Sequence, residues 1–89
     1  MAMFGADITA LRGLAWSLRR KHHDIEASRQ RLAVLVENLP WVGADRDRFV
    51  DEWRRVHSPA LSTIVSDMSQ ASSQARYHAD RQEQASRRS

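Results

Sequence analysis

Large apolar residues recur at every seventh position from Phe4 through Leu11, Leu18, Ile25 and Leu32 to Leu39, and Ile8, Ala15 and Val36 widen the stripe. Such a repeat keeps one side of a helix facing a partner over many turns, as in coiled coils and antiparallel bundles. The pattern predicts a first helix over about 7–38, started by Asp7 or Gly5 as N-cap. At ~1.5 Å per residue that helix is roughly 48 Å long, the length of a rod and not of a globule. Pro40 disfavours helical backbone at Leu39 and ends the run.

Trp41-Val42-Gly43 follows, and Asp45 and Asp47 then suit the positive end of a new helix dipole. A turn over 40–44 and a second helix over about 45–80 are predicted. Phe49, Trp53, Val56, Ala60, Ile64, Met68, Ala71 and Ala75, at spacings of three or four, give that helix one apolar face. With equal rise in both arms and the turn centred near Val42, Phe4 is level with Asp80. Residues 81–89 overhang, carry Ala85 as their one apolar residue, and are expected to fray. Pro59 interrupts the second helix by removing a hydrogen bond and clashing with the preceding turn. Either the helix kinks near 55–59, or it breaks and restarts with Ser58 as N-cap and Pro59 at the first position. The spacing runs through Pro59 without a phase shift, which favours the kink.

The expected fold is therefore all-α: one antiparallel helix-turn-helix hairpin spanning 1–89, paired with another into a four-helix bundle dimer. The length supports pairing, because a chain of 89 residues buries a small core, and with no cysteine it has no disulfide or thiolate metal site to compensate. A lone two-helix hairpin leaves one side of its seam wet, and such patches mark association surfaces. The hairpin and partner seam is assigned to Leu11, Leu18, Ile25, Leu32, Leu39, Phe49, Trp53, Ile64 and Met68.

Charge adds little to this picture. The formal +3 arises from 14 basic and 11 acidic residues spread along the chain, and Glu26, Asp51 and Glu52 lie close to the arginines. No aromatic platform interleaves with the basic residues, so a small basic nucleic-acid binder is a weaker reading. Asp7 and Arg12 interrupt the N-terminal apolar residues, so a cleavable secretory signal is not expected, and no apolar run approaches the length of a membrane span.

Trp41 and Gly43, midway between two amphipathic helices in a chain of this length, resemble the WXG family of type VII secretion proteins; Phe49 and Trp53 in the second helix resemble its actinobacterial members. The resemblance implies a hairpin that pairs with itself or a related hairpin, or with the leader domain of a toxin. It also implies export in folded form by a membrane ATPase, from the cytoplasm and without a cleavable signal. Many relatives or their partners carry a tyrosine with an acid four residues later as an export signal. Here Arg81 stands four after Tyr77, with Asp80 one residue early and Glu83 two late. This fits a chain that supplies the Trp-x-Gly turn while its partner supplies the tail signal. A second reading is an intracellular adaptor or chaperone for a larger secreted toxin, not itself exported.

Trp41 is either a recognition element at the tip or an indole that closes the bundle end. Gly43 provides a backbone conformation closed to other residues, or room for close helix approach. Trp16, beside Arg12, Arg19 and Arg20, lies on the side of the first helix opposite the seven-residue row. It is an exposed anchor for protein contacts, or part of a wider face that a pairing hairpin covers, since Leu14 and Leu35 already broaden the seam. Tyr77 lies off the second apolar face, open to a partner or to solvent.

Adjacent His22, His23 and Asp24 point in different directions and cannot converge on one ion, and neither His57 nor His78 is level with them. No serine has a nucleophile-elbow context, and a two-helix rod has no deep pocket from which to exclude water. Neither a cofactor nor a reaction is expected.

Overall fold

A computed structural model describes residues 2–88, with side chains from residue 7 onward, as a helical hairpin 68 Å long and only 17 × 14 Å across. Helix α1 spans Ala2–Glu37, α2 spans Ala44–Glu52, a π-helical turn covers Trp53–His57, and α3 runs over Ser58–Arg88. Helices α1 and α3 lie side by side along most of the rod. The radius of gyration of 19.8 Å contrasts with the ~12 Å expected of a compact domain of this length.

Two boundaries depart from expectation. Helix α1 begins at Ala2, so Asp7 is an exposed residue within it and not its N-cap. Gly5, the other expected N-cap, also lies inside α1; a single glycine costs a helix only about 1 kcal/mol, and no proline stands ahead of Asp7 to stop it. The Phe4 side chain, first of the seven-residue row, lies outside the described residues. At the other end α3 continues to Arg88, where equal arms predict a fraying tail from residue 81. The register explains this: a midpoint at Val42 would set Ser69 level with Ala15, whereas Ser72 lies there and donates a 2.7 Å hydrogen bond to the Ala15 carbonyl. The last residues of α3 therefore lie beside the start of α1. Arg12 binds Glu83 at 2.5 Å, and Glu83 also accepts from Arg87 at 3.1 Å.

Pro59 neither breaks the second arm nor leaves the helix in phase. Ser58 is helical (φ −64°, ψ −46°), so it is not an N-cap, and its N–H donates to the Trp53 carbonyl five residues back. Proline cannot donate to the carbonyl four residues before it and its ring presses on that carbonyl; widening the preceding turn relieves the clash. The wide turn inserts a residue and shifts the inward row. Of the expected face, Val56, Ala60 and Ile64 are exposed, and Leu61 and Val65 point inward instead; ahead of the turn, Phe49 is exposed and Val50 is the buried residue. Trp53, Met68 and Ala75 keep inward places.

The interior is thin. Val36, Val50 and Trp53 are its only large buried side chains among the described residues, with Ala33 and Leu61 packed against them. Farther along, the arms meet through Ala15, Ser72, Ala75 and Ala79, all small, and Ala79 is completely enclosed. Small residues let two helices approach closely, but they bury little apolar area.

Candidate functional site

Along α1 the inward positions are spaced by three or four residues: Ile8, Leu11, Ala15, Leu18, His22, Ile25, Arg29, Ala33 and Val36 are all buried or half-buried. The expected seam row is thus not the deepest one. Leu11, Leu18, Ile25 and Leu39 are half-buried, Leu32 is exposed, and Ala15 and Val36, one step round the helix, lie at the centre. The row sits at the edge because Ala15 and Val36 draw α3 toward their own side, leaving the bulkier leucines on the shoulder.

That shoulder forms one flank of the rod. Leu14, Leu32 and Leu35 of α1 and Phe49, Val56 and Ile64 of the second arm are exposed on it, beside the half-buried Leu11, Leu18, Ile25, Leu61 and Met68. Midway, a groove of about 420 Å³ opens between the arms, lined by Ile25, Leu32 and Leu61 with Lys21, Asp24, Ser28 and Arg29 around them. Arg29 holds the interior here, bonding Glu26 at 2.5 Å and the Ser58 hydroxyl at 3.1 Å.

The opposite flank is charged. Arg12 reaches Asp80 at 3.0 Å and Glu83 at 2.5 Å, and Arg54 is paired with Glu37. Among the described residues these are the ion pairs joining the two arms, and all lie on this side. Hydrogen bonds from Arg54 hold the Glu37 carboxyl below the usual carboxylate range, against the smaller opposing effect of desolvation. Trp16 is 61% exposed on the same flank, with the Arg20 guanidinium 5.2 Å from its ring centre.

At the tip, Gly43 adopts φ +116° and ψ −178°, a region closed to residues with a side chain, while a Cβ placed there would meet nothing within 4 Å. Of the two roles expected for this glycine, backbone conformation is the one in force. Its carbonyl accepts the first hydrogen bond of the second arm, from Asp47 at 3.1 Å, and Arg46 donates to the Glu37 carbonyl at the end of α1. Trp41 lies 6.3 Å from Phe49, ring centre to ring centre, and stays half exposed: one part packs on the tip and another faces solvent.

The expected export-tail residues are engaged within the hairpin. Arg81 donates to the Tyr77 hydroxyl at 3.1 Å, and Asp80 and Glu83 are held by Arg12. Sequence reasoning missed Val50, Leu61, Val65, Ser72 and Ala79 as inward residues. The signal was a second seven-residue series, Ser58, Val65, Ser72 and Ala79, visible only when serine is admitted to a core.

No protein-family model, curated protein or solved structure matches this chain. No helix of the described residues is long and apolar enough to cross a membrane. The arrangement offers association surfaces: an all-α antiparallel hairpin of two long arms with many apolar side chains in solvent, a form that suggests an oligomer.

Proposed function

We propose that this chain is an association module whose apolar flank packs against a second helical hairpin to close a four-helix bundle, and that the pair is cargo of a type VII secretion system. The observation behind the pairing is an imbalance. Eleven large apolar or aromatic side chains are exposed among the described residues, six of them on this flank (Leu14, Leu32, Leu35, Phe49, Val56 and Ile64), against three that are buried. A monomer seldom leaves so much apolar surface in water, and a chain this small lacks other means of support.

The flank is also nearly self-complementary. Leu11, Leu18, Ile25, Leu32 and Leu39 are centred on Ile25, and Leu14 and Leu35 stand at almost equal distances on either side. A second copy laid antiparallel would bring Leu18 against Leu32 and Leu11 against Leu39, as a two-fold interface requires. This favours a homodimer over pairing with a toxin leader domain. The secretion assignment rests on the resemblance of the Trp41 to Gly43 turn and its flanking helices. Asp80 and Glu83 are tied to Arg12, and an identical copy carries the same tail, so export of the pair draws on the tail signal of a further cargo protein.

Two measurements test this proposal. Light scattering of the purified chain, of 10.2 kDa, should give about twice that mass, and Ile25→Asp should return it to the monomer by burying an unpaired charge. A folded wild-type monomer with no affinity for itself or a related hairpin would refute the pairing. Fractionating cells with and without the export ATPase should show ATPase-dependent release; retention in the cytoplasm in both would leave the adaptor reading in its place.

A further inference from the structure

We propose that the charged flank carries a second docking site, in which Trp16, Arg19, Arg20 and Arg76 receive an acidic segment of another protein, its carboxylates on the arginines and an apolar side chain on the indole. Trp16 lies two residues from both Leu14 and Leu18, so it projects about 200° around the helix from the apolar flank. Pairing through that flank leaves it uncovered. A shallow depression of about 270 Å³ lies beside it, floored by Ala15 and walled by Arg12, Arg19 and Arg76, so both arms contribute to it.

The charges around this depression are not balanced from within the chain. Arg12 is occupied by Asp80 and Glu83. Among the described residues Arg19, Arg20 and Arg76 have no carboxylate partner, and Arg20 instead lies over the Trp16 ring. An exposed tryptophan fixed by a cation and ringed by unpaired guanidinium groups combines the two residue types that contribute most at protein interfaces. Guanidinium groups bind carboxylates with paired, directional hydrogen bonds, which gives the site its chemical selectivity.

An acidic peptide fits better than a polyanion. Asp80 and Glu83 reach the edge of the depression through Arg12, and Glu26 and Glu37 farther along α1 are held by Arg29 and Arg54, so beyond the three unpaired arginines the flank offers a nucleic-acid backbone no continuous basic track. A short segment needs only the three unpaired arginines and the indole.

The test uses a fluorescently labelled peptide of glutamates interrupted by phenylalanines, followed by anisotropy against the full chain. Wild type should bind saturably, and Trp16→Ala should weaken binding about tenfold or more while retaining its helical circular dichroism. Arg19→Glu combined with Arg76→Glu should weaken it at least as much. Arg48→Glu combined with Arg88→Glu, an equal change of charge elsewhere, should leave binding within about twofold of wild type if long-range charge alone is weak at physiological salt. No binding by wild type, undiminished binding by Trp16→Ala, or equal loss in both charge-reversed pairs would overturn the proposal. So would displacement of the peptide by single-stranded DNA or by phosphatidylglycerol vesicles at lower concentration than unlabelled peptide, which would assign the patch to a nucleic acid or a membrane surface.

Discussion

The Ser72 hydroxyl donates to the Ala15 carbonyl across the hairpin, 2.7 Å away and shielded from water. A side chain as short as serine reaches a backbone carbonyl of a neighbouring helix only where the two backbones are close, so this bond marks a close approach of the two long arms. Removing the hydroxyl and filling the space have different consequences. Ser72→Ala should cost about 0.5–1.5 kcal/mol, a typical net hydrogen bond, since the Ala15 carbonyl keeps its place in the helix ladder. Ser72→Leu should cost more, about 1–3 kcal/mol, by forcing the arms apart. Urea unfolding of both variants checks the order, and a leucine variant as stable as wild type would show that the arms are not in tight contact there.

The apolar flank can be altered without touching the hairpin interior. Leu14 and Leu35 are 51% and 63% exposed, so lysine at both positions leaves the buried contacts of the monomer intact. Leu14→Lys with Leu35→Lys is expected to retain helical circular dichroism at high protein concentration and to lose the dimer in sedimentation, because four cations would gather in one interface. A dimer of unchanged affinity would mean that the chain associates through another surface.

The hairpin and its turn are legible in the sequence because they depend on strong, local signals: a seven-residue repeat, Pro40, and the glycine that follows Trp41. The inward residues of the second arm are not. Pro59 reads as a defect, but the widened turn it creates shifts the inward row from Val56, Ala60 and Ile64 to Leu61 and Val65, and hydropathy spacing alone cannot show an inserted residue. Ser72 escapes notice for a different reason. Its value lies in its small size and its hydroxyl, neither of which registers as apolar. The same displacement turns Val56 and Ile64 from expected hairpin interior into exposed flank, and Phe49, ahead of the widened turn, is exposed because Val50 takes the inward place there. The charged flank is half visible, in that Trp16 and its neighbouring arginines on α1 stand out. Arg76 joins them only because the two arms fold together.

Gly43 gives a sharper test of the turn than bulk would suggest. A methyl group there meets nothing within 4 Å, so the obstacle is φ +116° and not crowding. Gly43→Ala and Gly43→Val should therefore both destabilise, by about 1–3 kcal/mol, and the alanine variant should suffer most of the loss. Thermal melts at one protein concentration separate the cases. A harmless alanine with a damaging valine would point to steric contact in place of backbone strain.

Acid should loosen the hairpin through identifiable groups. The Glu37 carboxyl is held below its ordinary range by hydrogen bonds from Arg54 across the turn, and Glu26 is lowered chiefly by its bond to Arg29, which also reaches Ser58. A carboxyl more acidic in the folded than in the unfolded chain binds fewer protons when folded, so its contribution is complete above the unfolded value and disappears as pH falls through the folded one. The loss should set in as pH falls through about 4.5 and deepen below it. Both carboxyls are solvent-accessible, so the effect is modest and shrinks with added salt. Glu37→Gln removes one titrating group, and its urea midpoint should fall less steeply than that of wild type over the same interval, at fixed protein concentration because association also stabilises the fold. Parallel pH profiles for the two proteins would show that the Glu37 to Arg54 pair does not join the arms in solution.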